Sequence, residues 1–157
     1  MEYYLTIKLI HVLAAVVVAG TGTGIAFFMF MANRSNNTQA IAVTTKHVVL
    51  ADWIFTFPAV IVQFVTGMML VDILNYSYTS AWFLAVIGLF IFIGACWLPV
   101  IYLQYRLKHY ADQAMDEGVL SDSFKKTMKL WTALGIPAFA AILVIFWLMI
   151  FKPLSVV

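Results

Sequence analysis

The chain has 157 residues, of which 64% are hydrophobic and only 10% charged, with a mean hydropathy of +0.99. Soluble domains carry about 25% charged residues, so this composition excludes a water-soluble globule and describes an integral membrane protein. A net charge of +2 gives no basis for nucleic-acid binding, and a single cysteine, Cys96, excludes an intrachain disulfide.

Four apolar stretches fill most of the chain, each long enough to meet the ~20 residues that a hydrocarbon core requires. The expected helices run over about 4–31, 46–71, 80–107 and 126–151, linked by "ANRSNNTQAIAVTT", "DILNYSYTS" and "KHYADQAMDEGVLSDSF". No room is left for a soluble domain. Residues 1–157 therefore read as one all-α domain, an integral membrane four-helix bundle. Glu2 stands where a leader would carry a basic residue, so the first stretch is expected to remain a membrane helix.

Orientation follows from the basic residues. Arg34, Lys46, Arg106, Lys108, Lys125, Lys126 and Lys129 fall on the side of the first and third links, and only Lys8 and Lys152 on the other. The positive-inside rule then places those links in the cytoplasm and both termini outside. Tyr3, Tyr4, Tyr76, Tyr78 and Trp82 form the outer aromatic belt, with Tyr102 and Tyr105 towards the inside. The expected location is a bacterial inner membrane, crossed several times.

In the first helix, "KLIHVLAA" puts His11 at the mouth of the apolar run. Its helical face continues through Ala14, Ala15, Val18 and Gly22. Small residues stacked beyond a histidine suit a flat macrocycle, and neutral imidazole is a common iron ligand. The alternative is a headgroup-zone histidine above a packing face. Gly20 and Gly24 lie on the opposite face and read as helix packing. His47 and His109 fall at the cytoplasmic side, about 30 Å of hydrocarbon away. They cannot share a metal with His11.

In the second helix, Asp52, Thr56, Ala59, Gln63 and Thr66 make one narrow stripe, polar except for Ala59. Polar groups in hydrocarbon are expensive and normally face the bundle interior. Asp52 is the one acid inside an expected span. Three roles stay open for it: binding a proton, pairing with Lys46 or Arg106, or hydrogen-bonding a cofactor's edge. A structural role as a helix-entry cap competes with them. Pro58 removes a backbone donor and frees the carbonyl of Ile54. Pro99 and Pro137 make similar breaks in the third and fourth helices.

In the fourth helix, Trp131, Gly135, Ala138 and Ile142 share a face that suits close packing or a slot for a planar ligand. Lys152-Pro153 ends the span on the side of His11, where the lysine either snorkels to the surface or meets an anion such as a propionate. Met29, Met31, Met68 and Met69 are scattered and read as apolar filler rather than a copper site. No Ser/His/Asp arrangement, Cys-x-x-Cys or phosphate loop is present, so hydrolase chemistry has no support.

Four segments, "IKLIHVLAAVVVAGTGTG", "ADWIFTFP" followed by "TGMML", "ACWLPVIYLQYRL" and "LWTALGIPAFAAI" with "LMIFKP", resemble a bacterial family of four-helix membrane proteins catalogued as domain of unknown function 2269. That family is in turn distantly similar to HemJ-type protoporphyrinogen oxidases and CopD-like membrane proteins. The resemblance implies His11 as a b-type haem ligand and leaves Lys152 at a matching position without a role. "KLWTALGIP" has no acid where the HemJ-type fourth helix carries one, so porphyrinogen oxidation does not transfer.

The leading expectation is a haem b protein in a redox role. His11 is its metal ligand, and Ala15, Gly22, Trp131, Gly135 and Lys152 line the cofactor. A quinone or membrane redox protein is the expected partner. One alternative is a cofactor-free accessory or assembly subunit. Another is an oligomeric proton or solute transporter built on Asp52, Thr56 and Gln63.

Overall fold

The structure is a computed structural model and describes residues 2–152; Pro153 of the expected helix stop lies outside them. Among the described residues there is no strand. Helices α1 (Glu2–Ser35), α2 (Thr38–Ile73), α3 (Ala81–Glu117) and α4 (Asp122–Phe151) are each long and apolar enough to cross a membrane.

All four helices outrun the expected spans. They contain 34, 36, 37 and 30 residues, which at ~1.5 Å per residue is far more than ~30 Å of hydrocarbon. Hydropathy marks where lipid ends; capping chemistry marks where a helix ends. The expected 14-residue first link therefore shrinks to Asn36 and Asn37. Asn36 takes a left-handed φ of 52°, and the Asn37 side chain accepts from the Ala40 amide at 3.1 Å, capping α2. The third link shrinks to residues 118–121. Gly118, at φ 73°, ends α3 with its amide donating to Ala114 O at 2.9 Å. Ser121 then accepts from the Phe124 amide at 3.2 Å to start α4.

The extensions pack against one another. Ile41, Leu107, Ala111 and Phe124 are fully buried, with 0% exposure each. They join Ile25, Met29, Val48, Val100, Leu103, Met128 and Trp131 in one core cluster at the basic end. Apolar residues that leave the bilayer must bury against protein, whereas those within it are solvated by lipid tails. The tightest packing accordingly lies at and beyond the basic end of the membrane.

Helix α3 packs along α4, α1 along α2, and α2 along α3, while α1 barely touches α4. The α1/α4 side is therefore open. A groove of about 620 Å³ runs there between Val16, Ala19, Gly20, Thr23, Gly24, Phe27 and Phe146. Gly20 and Gly24 do not serve helix packing within the chain, because no atom comes within 4 Å of a Cβ built on either.

Helix α2 is not uniform. Residues Asp52–Thr56 form a π-turn between two α-helical stretches, closed by the Phe57 amide donating to Asp52 O. Pro58 follows at once and cannot donate to Ile54. Its ring also crowds the carbonyl four residues back. Widening the preceding turn relieves that clash, so the expected break appears as a π-turn.

Candidate functional site

His11 is half-buried against α2. Its ring lies against α2, where Nδ1 is 2.9 Å from Thr66 Oγ1 and Nε2 is 3.0 Å from Gln63 Nε2. Gly67 allows this approach, since a Cβ there would come within 3.2 Å of His11 Cε1. The network assigns the protons. Thr66 has one hydroxyl hydrogen and donates it to Val62 O at 2.6 Å. Its oxygen must then accept from His11 Nδ1–H. Nε2 is left as the lone-pair nitrogen and accepts from the Gln63 amide, which leaves Gln63 Oε1 buried without a partner. Neutral imidazole whose Nδ1–H is held by a second residue is the usual support of a metal-ligating histidine.

Eleven residues before Gln63, the stripe carries a second polar group of residues. Asp52 and Thr56 are buried, at 6% and 7% exposure, as their spacing predicts. Neither expected cation reaches Asp52. Lys46 pairs with Asp112 at 3.9 Å, and the Arg106 guanidinium donates to the Tyr110 hydroxyl. Asp52 Oδ2 and Thr56 Oγ1 both lack partners. Helical Thr66, Thr127 and Thr132 each donate to the carbonyl four residues back; Thr56, the last residue of the π-turn, does not. The indole nitrogens of Trp97 and Trp131 are likewise buried and unpaired. Each such group costs about 1–3 kcal/mol when left unmet.

The expected cofactor residues do not converge. Trp131 sits in the basic-end core, and Lys152 lies 21 residues further along α4, about 30 Å away at ~1.5 Å per residue. Gly135, one turn beyond Trp131, shares its depth rather than that of His11. Ala15 and Gly22 are half-buried on α1, and no atom comes within 4 Å of a Cβ at Gly22. Lys152 Nζ donates to the Tyr76 hydroxyl at 2.6 Å and lies over the Tyr76 and Trp82 rings. Trp82 in turn donates to Leu148 O at 2.9 Å, a closure of the terminal end that the sequence reading missed. In the α2–α3 link the Tyr78 hydroxyl donates to the Asp72 carboxylate, which raises the phenol above its ordinary pKa.

His47 and His109 are exposed at the basic end. Among the described residues no three His, Cys, Asp or Glu side chains come together as a metal site. Met29 is core filler at 1% exposure.

A family profile described as a predicted integral membrane protein, DUF2269, matches residues 5–153. No curated protein and no solved structure matches the chain.

Proposed function

The chain belongs to the DUF2269 family of predicted integral membrane proteins, and from there we propose that it is a small haem b protein with a redox role in the bacterial inner membrane. His11 Nε2 would hold the haem iron in this reading. The observation that carries it is the hydrogen-bond pattern: His11 Nδ1 lies 2.9 Å from Thr66 Oγ1, whose own hydrogen goes to Val62 O at 2.6 Å, which assigns the ring proton to Nδ1. That leaves Nε2 as the basic nitrogen and sets the ring plane. The donor chemistry fits an iron ligand, with one condition: the Gln63 amide must leave Nε2. Its unpartnered Oε1 makes it a poorly satisfied occupant. Ala15 and Gly22 stay in the candidate lining. Trp131 and Gly135 do not, because of their depth, and Lys152 Nζ is held on the Tyr76 hydroxyl. Bound haem supplies one-electron transfer, with a quinone or membrane redox protein as the exchange partner.

A second reading rests on the same contact. Both ring nitrogens of His11 are filled by α2, which suits a cofactor-free accessory subunit in which His11 clamps two helices together. Haem titration of the purified protein separates the two. The haem reading expects one haem per chain, loss of binding in His11→Ala, about 10–100-fold weaker binding in Thr66→Val, and tighter binding in Gln63→Ala. The clamp reading expects no saturable binding in any variant, and lower thermal stability in all three.

A further inference from the structure

From Ala81 to Tyr105, α3 carries no charged residue, and Arg106 is the first after that run. At ~1.5 Å per residue the run outlasts ~30 Å of hydrocarbon, so Arg106 emerges at headgroup level on the basic side. Its side chain is exposed and yet held in place. The guanidinium carbon lies 6.0 Å from the centre of the Tyr102 ring, one turn earlier, and 5.4 Å from that of Tyr110, one turn later. One N–H also donates to the Tyr110 hydroxyl. No carboxylate balances the charge. Among the described residues Asp112 pairs with Lys46 and Asp122 with Lys125, and neither pairs with Arg106.

We propose that Arg106 and Tyr110 bind the phosphate of an anionic phospholipid in the leaflet at the basic end. A guanidinium has five donors and no acceptor, and one donor is spent on Tyr110. The Tyr110 oxygen accepts that bond and keeps its own hydrogen to donate. The pair therefore presents a positive charge and several donors. Phosphate oxygens supply the missing acceptors and the missing negative charge together. The planar fork meets two of those oxygens at once. The two rings hold the fork before lipid arrives, so binding costs little further rotamer freedom. Phosphatidylcholine carries its own cation beside the phosphate, so a headgroup of net negative charge gains more. Lys129 is exposed at the same end and attracts anionic lipid there as a diffuse charge. The inference does not rest on haem at His11.

The test is NMR of the full chain, labelled with ¹⁵N at its two arginines, Arg34 and Arg106, in a maltoside detergent that carries no phosphate. Arg34→Lys leaves the Arg106 side-chain signal alone in the spectrum. Short-chain phosphatidylglycerol, phosphatidylcholine of the same chain length and sodium phosphate are added to separate samples. The expected result is an Arg106 shift that saturates with phosphatidylglycerol and is absent with the other two at the same concentration. Native mass spectrometry of the lipid-bound chain then compares variants. Arg106→Gln should weaken phosphatidylglycerol binding by about tenfold or more. Lys129→Gln removes the same charge and should weaken it by less than about fivefold. Tyr110→Phe, which keeps the ring and loses the hydroxyl, should weaken it by about threefold. No Arg106 shift, or equal losses in Arg106→Gln and Lys129→Gln, overturns the inference. An equal shift with phosphatidylcholine reduces the contact to ordinary annular lipid and also overturns it. An equal shift with sodium phosphate overturns the assignment to lipid. Arg106→Gln should leave the thermal midpoint unchanged, because the side chain is exposed. His11→Ala should leave lipid binding unchanged, so failure here is distinguishable from failure of the haem reading.

Discussion

The contact between His11 and α2 depends on few atoms, which makes it easy to break by design. Gly67 leaves 3.2 Å between a virtual Cβ and His11 Cε1. Gly67→Leu should push the ring off Thr66 and lower stability by about 1–3 kcal/mol, read as a fall in thermal midpoint; an unchanged midpoint would show that the ring is not seated there. Tyr78 gives the pH prediction. Its hydrogen bond to Asp72 raises the phenol's pKa in the folded protein. The contact therefore contributes fully below the ordinary tyrosine range near ~10 and is lost as pH rises through the higher folded value. Tyrosinate absorbance should show one late-ionising phenol that disappears in Tyr78→Phe. Some of this was open to sequence reasoning. Asp52, Thr56, Gln63 and Thr66 announce a buried face because four polar residues at helical spacing have no other place in lipid. The match of His11 to Gln63 and Thr66 was not read, although both lie about ten residues in from the terminal ends of their helices. Periodicity gives a face and a depth, but not which neighbouring helix meets it.

Among the elements, α2 holds the main departure from expectation. Pro58 was legible as a break, yet the π-turn that precedes it depends on which amide claims Asp52 O. Pro58→Ala restores a donor to Ile54. It should let the turn relax to α-helical register, rotating Val48 out of the core cluster and lowering the thermal midpoint. A rise in midpoint would mean that packing, not proline, holds the turn. The helix ends were misread for a different reason. "KHYADQAMDE" is too polar for lipid but holds good helix formers, whereas "TQAIAVTT", rich in β-branched residues, is held helical by burying Ile41, Ala42 and Thr45; Asn37, Gly118 and Ser121 cap the ends.

At the scale of the whole molecule, the helices form a bundle closed tightly at its basic end and open along α1 and α4. Seven of the nine basic residues gather at the closed end, so Ser35→Cys should react with an impermeant thiol reagent only after the membrane is opened. Labelling in intact cells would reverse the orientation. Cofactor chemistry was the least legible level. The sequence placed His11, Trp131, Gly135 and Lys152 in one site by residue type. The bundle spreads them over about 30 Å of depth, because the two ends of α4 face opposite sides of the membrane. What remains is a single imidazole with its Nδ1–H fixed and its Nε2 basic. The most direct measurement is the dithionite-reduced minus oxidised visible spectrum of protein expressed with ample haem, for wild type and His11→Ala. The account predicts a b-type α-band in wild type that vanishes in the variant. A flat wild-type spectrum, or a band that survives His11→Ala, would contradict it.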